Sequence, residues 1–224
     1  DISHEKRREN LERILVHEAA KLAGAIQSGI KILKTLKDKN EGVDAINRSF
    51  RESADLVDDI QSYHRLIRAE NGDLIVESNL VNSSKVLIEN VERIKRVNGG
   101  ESVTIQFQEH IPPIEFLTDR FLLSLVLHNM LKNAIEETPK GGVVHAGVFL
   151  LSKTQIRFWV KNNSFILPEN QLQIFQRSFS TKGKDRGLGT YIMKLFGERY
   201  LKGLVGFTSN LKEGIFFYID LPIG

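Results

Sequence analysis

The stretch FQRSFSTKGKDRGLGTY, residues 175–191, joins three features. A basic, glycine-containing loop runs from Ser180 to Arg186. Gly187-Leu188-Gly189-Thr190 follows it. An apolar-periodic helix then opens, carrying Tyr191, Met193, Leu195, Phe196 and Tyr200. Gly187 and Gly189 lack a Cβ, so the backbone can come close to a ligand. A helix starting just behind them offers unpaired N–H groups and the positive end of its dipole, which suits a phosphate. Lys182, Lys184 and Arg186 add mobile positive charge beside it. Taken alone, a short glycine motif is equally a surface turn before an ordinary helix. The rest of the chain decides between the two.

Upstream, Asp119 to Glu137 (DRFLLSLVLHNMLKNAIEE) reads as a largely apolar helix, yet Asn129 and Asn133 fall one turn apart on one face. Asparagine is a poor helix former, so the pair wants an explanation. The two side chains either cap or cross-link buried backbone, or present amide oxygens to a hydrated magnesium ion and the phosphates around it. The flanking pattern is mixed. Leu74 to Leu80 reads as a strand, and Val81 to about Val97 as a helix stopped by Asn98-Gly99-Gly100. Val103 to Phe107 alternates as a strand, and Ile114 to Leu117 reads as a short strand paired with it after the Pro112-Pro113 turn. Val143–Leu151 and Gln155–Val160 make a predicted hairpin through Ser152-Lys153-Thr154. A short helix starts at Glu169. The helix behind the opening stretch runs to about Leu201, with Gly203 as its stop. Leu204–Ser209 and Ile215–Leu221 form a closing hairpin. Helices over one face of such a sheet give an α/β sandwich.

The first part of the chain is different. Residues 5 to 37 read as one long helix with Leu11, Leu15, Leu22, Ile26, Leu33 and Leu36 on a stripe. A charged turn ending at Gly42 leads into a second helix, about Val43 to Ala69. Its positions Ile46, Phe50, Ser53, Val57, Ile60, His64 and Ile67 alternate by three and four, the period of a coiled-coil seam. A lone hairpin of two narrow stripes buries little surface. Two copies packed as a four-helix bundle remove that problem, so a homodimer is expected. The boundary to the second part is placed at Asn71-Gly72-Asp73, giving domains 1–71 and 72–224. His17 lies about 200° around the first helix from Leu15 at 100° per residue. It is therefore expected to be exposed, with Glu18 beside it. A solvated surface histidine is one use of that position, and a nucleophile with a carboxylate beside it to take a proton is the other.

Composition narrows the classes. The absence of cysteine excludes disulfides, thiolate metal sites and a cysteine nucleophile. Thirty-one basic residues against 28 acidic ones leave +3, which is no nucleic-acid signature. No apolar run is long enough to span a bilayer, so no membrane contact is expected of these residues. The chain opens on Asp1 without an initiator Met and is expected to be a piece of a longer protein.

With these residues assembled, the chain resembles the transmitter module of sensor histidine kinases. That module is a dimerisation and phosphoacceptor hairpin followed by a GHKL-type ATP-binding domain. His17-Glu18 in LERILVHEAAKL is similar to the phosphoacceptor motif. Asn129-Met130-Leu131-Lys132-Asn133-Ala134 resembles the asparagine box, Ile174-Phe175 to Phe179 the phenylalanine box, and Gly187-Leu188-Gly189-Thr190 the second glycine box. The resemblance implies an α+β fold: an N-terminal antiparallel helical hairpin forming a dimeric four-helix bundle, then a GHKL-type α/β sandwich. It implies ATP and Mg2+ as cofactors, with Asn133 on the metal and Asn129 holding phosphates. Lys182 to Arg186 would be the lid, the backbone at Gly187 to Gly189 would approach the phosphates, and Leu188 and Thr190 would belong to the same cofactor-binding stretch. His17 would take the γ-phosphate, with Glu18 as base or orienting group. An aspartate of a response-regulator receiver domain would take it next. A cytoplasmic location, as the cytosolic part of a larger sensor, is implied as well.

The chain also departs from the family pattern. Asn162-Asn163-Ser164-Phe165-Ile166-Leu167-Pro168 stands in place of the first glycine box. Asn162 replaces the aspartate that binds the adenine amine, and Ser164 and Ile166 replace glycines. A β-branched residue disfavours positive φ, so Ile166 is expected to alter the pocket. Lys21 stands four residues after His17, where a threonine or asparagine is linked to dephosphorylation of the partner. Glu136 and Glu137 replace ordinary kinase residues and read as solvated helix-end charges. A reading from another class follows from these departures: a pseudokinase scaffold that keeps the fold and binds partners through its bundle. A GHKL ATPase of the gyrase or chaperone type would want an acidic base where Asn129 stands.

Overall fold

A computed structural model describes residues 19, 23, 24, 26, 27, 60–97, 103–177 and 188–223. The chain divides into two compact units, Asp1–Leu74 and Ile75–Gly224. In the first unit residues 60–71 are helical. Gly72, at φ 82°, ends the helix. Its N–H donates to the Ala69 carbonyl and that of Asp73 to Arg68, the Schellman pairing that a glycine in the left-handed region permits. Ser62, Leu66 and Ala69 are buried on this helix, whereas His64 of the expected seam is exposed. The expected first helix, the turn near Gly42 and the seam positions before Ile60 lie outside the described residues.

The second unit contains strands β1 (Asn79–Asn82), β2 (Val103–Phe107), β3 (Glu115–Thr118), β4 (Gly142–Ser152), β5 (Gln155–Asn162), β6 (Leu204–Asn210) and β7 (Gly214–Pro222). Its helices are α1 (Ser83–Val97), α2 (Arg120–Glu137), the short α3 (Pro168–Gln171) and α4 (Gly189–Lys194), which continues as a π-helical turn over Leu195–Tyr200. Five strands form one sheet in the order β2-β4-β5-β7-β6, with β2 and β4 parallel and the other pairs antiparallel.

The period-two pattern of β5 decides which face is covered. Ile156, Phe158, Val160 and Asn162 are buried, and Arg157, Trp159 and Lys161 between them are not. Ile215, Phe217, Ile219 and Leu221 of β7 join the buried face. Helix α2 packs there, with α1 and α4 against it. Eight of its side chains are buried, from Leu122 to Ala134, around most of its circumference. A helix apolar on nearly all sides is a core element, so the sequence of α2 fits its place. Its first turn is fixed by Asp119, whose carboxylate accepts from the N–H groups of Phe121 (2.9 Å), Leu122 (3.0 Å) and Glu77 (2.9 Å).

The opposite sheet face is built around rings and two glycines. Trp159 stacks on Phe216 with centroids 5.4 Å apart. Arg157 lies 3.9 Å over Tyr218 and forks onto Asp220 at 2.6 and 2.7 Å. A Cβ at Gly147 would meet the Trp159 ring at 2.6 Å, and one at Gly206 would run into the Tyr218 hydroxyl.

One expected pairing is corrected. Strand β3 pairs with β1, Leu80 opposite Leu117, and not with β2, whose neighbour is β4. Ser83 is the physical reason. Its N–H donates to the Ile114 carbonyl (2.8 Å), and its hydroxyl donates to Pro112 O (2.6 Å) and accepts from Ile114 N–H (2.9 Å). The Pro112-Pro113 segment is thereby tied to the β1–α1 junction and carries β3 away from β2. The strand expected over Leu74–Leu80 begins only at Asn79 and runs to Asn82.

Candidate functional site

Two motifs nearly sixty residues apart in sequence meet in the second unit. Asn129 and Asn133 point from α2 toward the start of α4. A Cβ on Gly189 would stand 2.9 Å from Asn129 Oδ1 and 3.6 Å from Asn133 Oδ1. A Cβ there would crowd the Asn129 amide, while Asn133 lies at ordinary contact distance. Asn129 spends its Nδ2 on the Leu125 carbonyl at 2.8 Å, which leaves its oxygen facing Gly189. Among the described residues no hydrogen bond is made by the half-buried Asn133 amide. Leu188, at the N-terminal end of α4, makes no side-chain capping bond. Thr190 donates its hydroxyl to the Ile174 carbonyl, tying the second glycine box to the segment before Phe175. Phe175 is anchored by edge contacts to Phe207 (5.7 Å) and Phe217 (6.5 Å).

Further along α2 lies Asn162, at the end of β5. It is 1% exposed. Its Nδ2 donates to the Ala134 carbonyl at 3.2 Å and to Thr138 Oγ1 at 3.4 Å. Ala134 and Thr138 follow Asn129 and Asn133 by five positions, about 7.5 Å along the helix axis. The candidate site therefore runs along the last turns of α2, from an end at Gly189 to an end at Asn162. Ser164 donates to Glu137 O at 2.5 Å, and the Ile166 N–H donates to Ser209 Oγ at 2.7 Å. Lys202 is the one non-glycine with positive φ among the described residues. Ile166 thus has a negative φ, which a β-branched residue adopts without penalty. Glu136 and Glu137 are exposed at the end of α2.

The profile described as Histidine kinase-, DNA gyrase B-, and HSP90-like ATPase matches residues 118–224. Residues 118–224 carry an ATPase domain of the GHKL type, the kind shared by histidine kinases, DNA gyrase B and HSP90. Sensor protein KdpD of Clostridium acetobutylicum is 22% identical over 231 residues, covering 99% of this chain and 25% of its own length. The chain thus spans about a quarter of that relative. The solved catalytic domain of histidine kinase ThkA is 25% identical with a TM-score of 0.59, covering 66% of this chain and 98% of that one. Full-length ShkA, solved in complex with AMPPNP, shares the fold at 20% identity and a TM-score of 0.63, over 96% of this chain and 46% of its own.

The residues of this catalytic domain suit a magnesium nucleotide. Magnesium prefers oxygen ligands and keeps phosphate and water among them. Asn129 and Asn133 offer amide oxygens beside a backbone that no Cβ obstructs. A magnesium ion there would be held by these amide oxygens together with the phosphates of its nucleotide. No helix of the described residues is long and apolar enough to cross a membrane. His17, Glu18, Lys21, Phe179, Lys182, Arg186 and Gly187 lie outside the described residues. Thr138 and Ala134 were not singled out as site residues by the sequence. The available signal was a threonine one turn after Ala134 at the end of the asparagine helix.

Proposed function

We propose that this chain is the transmitter core of an ATP-dependent protein-histidine kinase. The observation that carries the reading is Gly189 lying against both Asn129 and Asn133. It brings the second glycine box and the asparagine box to one place, as a nucleotide triphosphate would require. Asn133 would hold magnesium, Asn129 would help hold the phosphates, and Asn162 would accept from the adenine amine. Thr190, Leu188 and the lid from Lys182 to Arg186 would border the phosphates. Magnesium would neutralise charge on the phosphates, and the chain's own task is positioning. A ring nitrogen of His17 would attack the γ-phosphorus as the bond to the β,γ-bridging oxygen breaks and ADP leaves. Glu18 would receive the ring proton. Transfer to a receiver-domain aspartate, with the module dimeric, completes the scheme.

The test is incorporation of γ-phosphate from labelled ATP and magnesium, with His17→Ala alongside. Acid-labile, base-stable label that vanishes in the variant is the expected result. One observation favours a second reading, a scaffold without turnover: Asn162 brings no charge to the base. A neutral hydrogen bond contributes about 1 kcal/mol, against roughly 1.5–3 for one to a charged group. No label on a well-folded dimer would move the assignment to the scaffold.

A further inference from the structure

We propose that Thr138 is a positioning residue that holds the Asn162 amide acceptor-outward, making the site selective for a base with an exocyclic amine over one with a carbonyl. The inference rests on the nucleotide reading above and concerns which base is taken.

An aspartate needs no orientation here, because both its oxygens accept. An asparagine is two-sided: one end of the amide accepts and the other donates. In one orientation it complements the amine of adenine. Reversed, it complements the carbonyl of guanine. Replacing aspartate by Asn162 therefore transfers base selection to whatever fixes the amide.

Two groups fix it, and both act from the end of α2. The Ala134 carbonyl can only accept. It receives the Thr138 hydroxyl at 2.6 Å and Asn162 Nδ2 at 3.2 Å. Thr138 has one hydroxyl hydrogen and spends it on Ala134, so toward Asn162, at 3.4 Å, its oxygen is an acceptor. The Thr138 N–H goes to Ile135 O and not to Ala134 O, which leaves the Ala134 carbonyl open to these side chains. One side of the Asn162 amide thus faces two acceptors. The network leaves a single choice for the amide: nitrogen inward. The reversed amide would set Oδ1 against a carbonyl and a committed hydroxyl. No donor among the described residues reaches Oδ1, and no buried side-chain nitrogen or oxygen lacks a partner. The oxygen is therefore the end of this otherwise buried side chain left for a ligand.

The test is a double-mutant cycle on the whole chain, read as equilibrium affinity for ATP and for GTP with magnesium, by displacement of a fluorescent nucleotide. Wild type is expected to favour ATP by at least about tenfold, the order that one mismatched hydrogen-bonding group costs. Thr138→Val removes the hydroxyl at nearly constant shape and is expected to lower the ATP-to-GTP ratio at least about threefold, with Thr138→Ser restoring it. In the Asn162→Asp background the Thr138 hydroxyl would turn to donate to the inward oxygen, and the outward end accepts whichever way the group is turned, so Thr138→Val is expected to cost stability and leave the ratio unchanged. A threonine that only ends the helix would shift the melting temperature in both backgrounds and the ratio in neither, and that result overturns the proposal. Equal wild-type affinity for ATP and GTP overturns it too, while leaving the nucleotide site standing. Failure of a folded wild type to bind either nucleotide overturns the site reading itself, and the proposal with it.

Discussion

His128 sits one position before the first asparagine of the box and is half-buried. Burial, with the positive charges of Lys132 and Arg93 beside it, pushes its pKa from 6.5 down to about 4. The sign follows directly. Above pH 6.5 the ring is neutral in both states. Between 6.5 and about 4 the unfolded chain takes a proton that the folded chain refuses, so stability falls as pH falls. The full gap corresponds to about 3 kcal/mol. Urea unfolding at pH 7 and pH 5 is expected to show about 2 kcal/mol of this loss, the rest coming below pH 5, and His128→Asn to flatten it; an unchanged slope would remove His128 as its cause. Asn133 gives the contrasting case. It is half-buried, and its amide makes no hydrogen bond among the described residues, so Asn133→Ala is expected to abolish magnesium-nucleotide binding with the melting temperature nearly unchanged. Calorimetric titration checks it, and retained affinity with magnesium present would sink the metal assignment. Asn129 and Asn133 were legible in the sequence because polar residues on a greasy helix stand out. The orientation of Asn162 was not, because it depends on a carbonyl, and every residue has one.

Among the elements, α2 carries most of the site and is held at its start by one side chain. Asp119 satisfies three backbone N–H groups, one of them 42 residues away at Glu77, and is 5% exposed. Loss of an ordinary N-cap costs about 1 kcal/mol, and each buried donor left unpaired adds roughly 1–3. Asp119→Ala is therefore expected to destabilise the chain by about 2–4 kcal/mol in urea unfolding. A cost below about 0.5 kcal/mol, the scale of an ordinary surface change, would mean water replaces the carboxylate. The sequence made α2 and the β4–β5 and β6–β7 hairpins readable, since apolar periodicity and turn residues are local signals. It misread the partner of β3 because the deciding group, Ser83, acts from 29 to 31 residues away. A lone serine between Asn82 and Ser84 carries no pattern that announces such a role.

On the scale of the whole molecule, the proposed function gives the second unit the task of binding and orienting a nucleotide, and a phosphoacceptor would then come from elsewhere in the chain or its partner. His17 is the residue the sequence offers. The expected hairpin presents two stripes, from Leu11 to Leu36 and from Ile46 to Ile67, each about one side chain wide. Paired only with each other, they leave apolar flanks in water at roughly 25 cal/mol per Å². At the end of the second helix Ile60 and Ile67 are half-buried and His64 is exposed, so part of this seam stays open in a single copy. A second hairpin related by a two-fold axis would cover it. Sedimentation equilibrium of the whole chain at micromolar concentration is expected to give twice the chain mass, 25.4 kDa per copy. Replacing Ile60 and Ile67 with glutamate should shift the chain to monomer while nucleotide affinity at the second unit is kept. A monomeric wild type with full helicity would mean the stripes are covered within one chain, and phosphorylation of His17 would then have to occur within that same chain.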